Sequence, residues 1–459
     1  MKNRLWMLLT AVALFTCVPA IAQSTFGTLL GTVQDQTGSP VPDVTVTAKN
    51  VDTTFTRTTM SNSAGQYQFP NMQPGNYSLT AEKAGFATAK VDSVTLDARQ
   101  QRRIDLSVGL AGVQQSIVVT GEAATINTEN ANIANTMNHA EVTQLPANFR
   151  GASTSPLGAI VASANVQQDQ NGTIALSGSL PFMTDYSVDG TSTVNVGANA
   201  AARNMYPSSE MLSEFKVSAI NNNAELASSG DVTVTTKGGG NILHGSVFEY
   251  LQNRALDATT YGSSLKQAKV WNTFGASLSG PVMIPKLYNG RDKTFFFIDY
   301  EGNRRPGSTL VINSVPTAAM VAGNLNGVPG KPAIDPFSGL PFTNNQIPLS
   351  QLNPVAQKLL TQYYPAPNFN SGSTTGNHRT LLPLTNQTDG YDIRIDHNIS
   401  SSHQIYGRWT WKNLPSLSAA NPGISQLLPP LSTNEADRNL LLADNYTLTP
   451  TLINEFRFG

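Results

Sequence analysis

Beyond its N-terminal leader, this 459-residue sequence holds no run of about 18 apolar residues, the length a membrane-crossing helix needs. Such a chain can enter a bilayer only as a β-barrel, the one other structure that satisfies every backbone N–H and C=O in lipid. The leader is an export signal. Lys2 and Arg4 give a positive start, and Leu5 to Val18 form an apolar stretch too short to span comfortably. Ala20-Ile21-Ala22 is a small-residue site that predicts cleavage between Ala22 and Gln23, making residues 1–22 a signal peptide. Phe15 and Thr16 are poor neighbours for a lipidated Cys17, which argues against a lipoprotein. Cleavage removes Cys17, the one cysteine, and with it disulfides, thiolate catalysis and cysteine metal sites.

Net charge is -1 and only 13% of residues are charged, so no basic field invites a nucleic-acid partner. Asn, Ser and Thr are heavy throughout while helical periods are scarce, which predicts a turn-rich, mainly β protein of about three domains. Residues 25–110 carry short alternating strands such as VTVTAKN and GNYSLTAEKAGF, punctuated by Thr37-Gly38, Ala64-Gly65 and Pro74-Gly75. That pattern predicts a small β-sandwich, with Tyr67, Phe69, Tyr77 and Phe86 at core-like positions.

The run GTVQDQTGSPVPDVTV, then SAGQYQF and PGNYSLTAEKAGF, resembles the carboxypeptidase regulatory-like domain. The resemblance implies a prealbumin-like, carbohydrate-binding-like fold without peptidase activity. A zinc carboxypeptidase would need His-x-x-Glu, and none of the five histidines has Glu three residues on; His139 and Glu141 are two apart. Few exposed aromatics are expected, so a structural module is favoured over sugar binding.

Residues 111–121 are a linker in which Ile117, Val118, Val119 and Thr120 resemble a TonB box, a strand-forming segment that can pair edge-on with a periplasmic partner. The same residues could be the last strand of the first domain. Residues 122–243 resemble the α+β plug of TonB-dependent receptors. EVTQLPANFRG fits its start, Val188-Asp189-Gly190 its strand-ending motif, and SSEMLSEFKV its acidic stretch, with Ser208 or Ser209 as a helix cap. The expected Arg-Gly-Pro is absent and SAINNNAELASSG stands in its place, as in the Oar-like branch, so iron-chelate specificity does not carry over. Asp185, Asp189, Glu210 and Glu214 could be paired carboxylates for acid–base work, but nothing fixes them together and surface turns are their usual home. Gly238-Gly239-Gly240 lacks the Gly-Lys-Ser/Thr ending of a phosphate-binding loop.

Residues 244–459 change character. YDIRIDHNIS puts Tyr391, Ile393, Ile395 and Ile399 on one face and Asp392, Arg394, Asp396 and Asn398 on the other. HQIYGRWTWKN pairs with it across Ser401-Ser402, an apolar-out, polar-in hairpin. About seven such candidates of 8 to 14 residues recur, with aromatics clustered as in an interfacial girdle. Residues 305–388 read as a long extracellular loop holding one amphipathic helix in LSQLNPVAQKLLTQYYP. WNTFGASLSGPV and DKTFFFIDYEGNRR resemble the Oar-like TonB-dependent barrel, which has twenty-two strands. Because an open sheet edge cannot sit in lipid, the sequence is expected to be a fragment or an incomplete gene product.

The resemblance as a whole implies an outer-membrane receptor that binds and imports an unidentified small-molecule, peptide or carbohydrate ligand. Its partners would be a TonB-type periplasmic energy transducer and outer-membrane lipid, with no cofactor, metal or catalytic residue. A surface adhesion or export-related protein is the alternative, and a secreted carbohydrate-binding or carboxypeptidase-associated protein the third. DVTVTTK would end the plug and HGSVFEY begin the barrel. Gly238, Gly239 and Gly240 would be the joint between them, turning where φ > 0 is cheap.

Overall fold

The computed structural model describes residues 24–110, 129, 131–144, 156–168, 174–195, 197, 200–202, 205–222, 228–258, 269–330, 332–418, 431–449 and 451–459. Among the described residues the larger β structures follow one another along the chain as three units, beside three two-stranded ribbons.

The first is a sandwich of two four-stranded sheets. One sheet holds Gln66–Met72, Gly27–Asp35 and the strands Gln101–Arg103 and Leu106–Val108, which both run parallel to Gly27–Asp35. The other orders Thr56–Met60, Thr45–Asn50, Gly75–Glu82 and Ala89–Leu96. Alternation along each strand sends Leu29, Val46, Tyr67, Phe69, Tyr77 and Leu79 into one apolar core. At about 1.5–3 kcal/mol per fully buried large side chain, this core is the main stabiliser of the domain. Phe86 packs at its margin.

The second is a five-stranded mixed sheet in the order Thr191–Ser192, Thr184–Val188, Gly230–Thr236, Leu212–Ile220, Ile133–Asn138. Phe215 opposite Val234 and Val217 opposite Val232 bury one face in a separate core with Ile160 and Tyr206. The only α-helix among the described residues here is the short His139–Gln144. Residues 209–211 form a turn, not the helix start expected from Ser208 or Ser209. Ser208 Oγ still accepts from Met211 N (3.2 Å), but the backbone goes straight into the Leu212 strand.

The third is a wall of seven antiparallel strands in sequence order: His244–Asn253, Val270–Pro281, Thr294–Asn313, His378–Ser400, His403–Ser418, Leu431–Thr449 and Leu452–Phe458. It is open, with the first and last of these as its edges. Tyr391, Ile393, Ile395, Trp409, Leu440 and Leu442 face outward and exposed, while Asp392, Arg394, Arg408, Thr410 and Lys412 face inward and buried. On the outer face Phe274, Tyr300, Tyr391 and Trp411 form a row with ring centroids 6.2, 4.9 and 5.2 Å apart. From Ser400 to Tyr391, at ~3.3 Å per residue and ~40° tilt, the wall rises roughly 23 Å, close to the ~25 Å apolar band of outer-membrane barrels.

Two strands are much longer than the sequence suggests, at 20 and 23 residues, so the intervening segment is 314–377 rather than 305–388. Pairing continues in register from Arg304 opposite Gln387 to Asn313 opposite His378, through Pro306, Gly307 and Pro383. Those residues read as loop because proline cannot donate to a ladder, yet the hairpin carries them past the apolar band. The expected helix covers Pro354–Tyr363, with Asn353 capping Val355 N and Ala356 N.

Candidate functional site

The inner face of the wall meets the central sheet along a seam of charge centred on Asp189. Strand Thr184–Val188 ends in a left-handed turn, with φ 49° at Asp189 and 80° at Gly190, residue types that tolerate that backbone. The turn aims the carboxylate of Asp189 at the wall. Asp189 Oδ1 accepts from Thr236 N (2.9 Å), and Oδ2 accepts from Thr236 Oγ1 (2.8 Å) and from Arg408 Nε (2.8 Å). Arg408 is shut off from solvent and also donates to Thr410 Oγ1 (3.0 Å) and Asn439 Oδ1 (2.9 Å).

Arg394, its cross-strand neighbour, lies 3.7 Å from Asp189. Arg394 Nη1 donates to Thr236 O and Thr236 Oγ1, both at 2.8 Å, and its other nitrogens clasp Asp396 at 2.7 and 3.0 Å. The guanidinium sits over the Tyr406 ring at 4.3 Å. One buried carboxylate therefore ties two strands of the central sheet to two strands of the wall. Charge-assisted bonds in such a setting are about twice as strong as neutral ones.

A second contact lies alongside. Asp299 and Asp392 stand directly opposite each other on neighbouring wall strands, an arrangement that repels when both are ionised. Ser208 of the central domain reaches both, its N donating to Asp392 Oδ2 (2.8 Å) and its hydroxyl bonded to Asp299. Thr410 Oγ1 adds a bond to Asp392 Oδ1 (2.5 Å). Glu210 accepts from Ser246 Oγ of the first wall strand (3.2 Å). The four carboxylates that could have formed an acid–base site are thus not gathered together. Asp189 and Glu210 face the wall, Glu214 lies on the other side of the central sheet, opposite Thr235, and Asp185 stands beside Asp231 on the neighbouring strand.

The three glycines run between the central sheet and the wall, but not as expected. None of them has positive φ. What requires glycine is close approach: a Cβ on Gly239 would lie 2.4 Å from Phe296 O, 2.8 Å from Gly280 O and 2.9 Å from Phe295 Cβ. The segment lies flat on the wall, and a cavity of about 570 Å³ opens between it, Arg394 and the Asp52–Thr54 loop of the sandwich. Ala22, Gln23 and the segment Ile117, Val118, Val119, Thr120 lie outside the described residues. The sequence points to Val188-Asp189-Gly190, to Ser208 as a helix cap and to Arg394 on a polar strand face, but not to Arg408 nor to the contacts that bring these residues together. Arginines recurring on the polar face of barrel-type strands were the available signal.

Residues 235–459 match the outer membrane beta barrel domain, and residues 28–109 match the carboxypeptidase regulatory-like domain. The chain therefore carries an outer membrane beta barrel domain behind a carboxypeptidase regulatory-like domain, and its place is the outer membrane. More narrowly, it is a homologue of the TonB-dependent transporter Oar of Myxococcus xanthus, 25% identical over 285 residues, which are 59% of this chain and 26% of that protein. The chain thus spans about a quarter of the length of the curated relative it matches. Solved structures with lower likeness include a mutant ferric enterobactin receptor of Pseudomonas aeruginosa in complex with enterobactin (12% identity, TM-score 0.38, 70% of this chain and 39% of that one). Another is a siderophore receptor of Acinetobacter baumannii (14% identity, TM-score 0.31, 68% and 44%).

Proposed function

We propose that this chain is the gate-bearing part of an energy-coupled outer-membrane receptor that binds and imports an unassigned small-molecule, peptide or carbohydrate ligand. Residues 122–243 are the plug, residues 244–459 the part of the barrel wall that holds it, residues 25–110 a periplasmic domain, and residues 1–22 the export signal. The ligand arrives on the side of the 314–377 segment. Ile117 to Thr120 pairs as an added strand with a TonB-type periplasmic transducer and takes up its pull. No residue is assigned a catalytic role.

The observation that carries this reading is the buried contact of Asp189 with Arg408, made by a central domain against the inner face of an outer-membrane wall. A plug must be held by contacts that weaken once water enters, and the attraction within an ion pair falls as the local dielectric rises. Its test uses the purified periplasmic domain of a TonB-type transducer as probe. Binding to the detergent-solubilised receptor is expected, with loss of measurable binding when residues 117–120 are deleted. Equal binding by the deletion variant removes the box assignment. Recovery of the protein wholly in the soluble periplasmic fraction overturns the receptor.

A further inference from the structure

The central sheet has a second face, and its chemistry is that of a surface meant for a partner. Glu214, Lys216 and Ser218 alternate with the core residues of their strand, and Asp231, Thr233 and Thr235 stand opposite them. A charged face of this kind belongs in water, yet none of these six is more than 8% exposed. What covers its charged residues is one turn of the N-terminal sandwich, Asp97 to Gln100. Ala98 N donates to Glu214 Oε1 (2.5 Å), and Lys216 Nζ donates to Ala98 O (2.8 Å). Arg99 then reaches past them to Asp231 (2.7 Å), with both side chains buried. Arg99 holds a left-handed φ of 53° in this turn.

The same sandwich touches the wall and the glycine segment. Asn241 N donates to Asp52 O (2.9 Å), and Asn241 Nδ2 donates to Asp292 Oδ1 (2.7 Å), which Thr54 also bonds. Asn71 bonds Asn445, and Arg457 of the last strand donates to Thr25 Oγ1 (3.2 Å) while lying over Phe26. These are polar contacts. Among the described residues the sandwich core and the central core share no member, so no common apolar cluster welds the two together. Interfaces of this make-up are the separable kind.

We propose that the carboxypeptidase regulatory-like domain is a releasable cap, docked through its Asp97–Gln100 turn on the charged face of the central sheet and holding that sheet against the wall. Release of the cap frees the face and precedes movement of the central domain. That last step rests on the plug reading above, whereas the dock itself does not.

Acid–base chemistry makes the dock sensitive to pH. Burial, and then the charge of Asp97, push the Glu214 carboxyl up to about 7. Asp97 and Asp231 are raised as well, each by burial, against the lowering effect of Lys216 on both, Arg102 on Asp97 and Arg99 on Asp231; Glu141 raises Asp97 and Asp185 raises Asp231. Burial lowers Lys216. A carboxyl raised by docking binds its proton more tightly docked than free, so the dock loses strength as pH climbs from the ordinary Glu range through about 7. Lys216 is the opposite case: it binds its proton less tightly docked than free, so its own titration strengthens the dock as pH rises and works against the effect of Glu214.

Hydrogen exchange on the whole chain in detergent tests this. Arg99→Asn keeps a residue that tolerates the left-handed turn but removes the buried guanidinium. Amides of the 212–220 and 230–236 strands should then exchange about tenfold faster, while the sandwich strands 45–50 and 75–82 keep their protection. Arg99→Lys should restore part of it. Wild-type exchange in the two central strands should quicken between about pH 5 and 8 beyond the intrinsic rate, and Glu214→Gln should flatten that rise.

An engineered disulfide gives the second arm. A Cβ on Gly240 would lie 3.4 Å from Asp52 Cβ, so Asp52→Cys with Gly240→Cys can bridge cap to joint. Oxidising that pair in the Arg99→Asn background should return the central strands to wild-type protection. Protection unchanged by Arg99→Asn overturns the cap, and so does a loss that the disulfide leaves uncorrected. Transducer binding is read separately, so failure of the cap and failure of the receptor reading give different results.

Discussion

Asp189→Asn should weaken the hold between the central domain and the wall by about 3–5 kcal/mol, the usual result of removing one partner from a buried ion pair. Asparagine fits the left-handed turn at φ 49° and its Oδ1 can still accept from Thr236 N, so backbone strain does not confuse the result. What disappears is charge. Arg394 keeps Asp396, whereas Arg408 keeps only the neutral acceptors Thr410 and Asn439. The cost therefore falls on Arg408, whose side chain is fully buried. Urea titration followed by hydrogen exchange of the 184–188 strand measures it, because ΔG falls linearly with denaturant. A change below about 0.5 kcal/mol would mean that the pair is wet and is not the seam's anchor.

Gly239→Ala is the second large effect, at about 2–3 kcal/mol with loss of the close approach to the wall. The added methyl meets two backbone oxygens and the Phe295 Cβ inside 3.0 Å, and none of these can step aside without moving a strand. The flanking glycines differ. Alanine at Gly238 meets only the carboxylate of Asp396, at 2.9 Å, and at Gly240 its nearest atom is Asp52 O at 3.1 Å. Thermal unfolding of the three alanine variants should rank Gly239 well below the other two. Equal midpoints would mean that the glycines serve only to bend the chain.

Much of the architecture is legible in the sequence because its signal is local. Alternation at Tyr391 to Ile399 and at Ile405 to Trp411 fixes which side of a strand meets lipid, and period-two patterns survive without any knowledge of neighbours. The turn at Asp189-Gly190 is legible for the same reason. Its role is not, because Arg408 is 219 residues away and only tertiary pairing brings it to 2.8 Å. The charged face of Glu214, Lys216 and Asp231 misleads in the other direction. Alternate charges on a strand ordinarily mark solvent, and nothing local reveals that Ala98 and Arg99 will cover them. Pro306 and Pro383 hide the length of the tall hairpin, since proline is read as a break even where a strand passes through it.

The seating of the central domain inside the wall is the central claim, and one crosslink tests it most directly. A Cβ on Gly459, just past the last wall strand, would sit 3.3 Å from the Cβ of Thr191, which follows the Asp189 turn. Thr191→Cys with Gly459→Cys, in membranes bearing the protein, should oxidise to a single bridged species as readily as the cross-strand control His403→Cys with Tyr446→Cys. Bridging of both pairs is the predicted result. A control that bridges while the thiols introduced at positions 191 and 459 stay reduced would contradict the account, since the central domain would then not be seated in the wall.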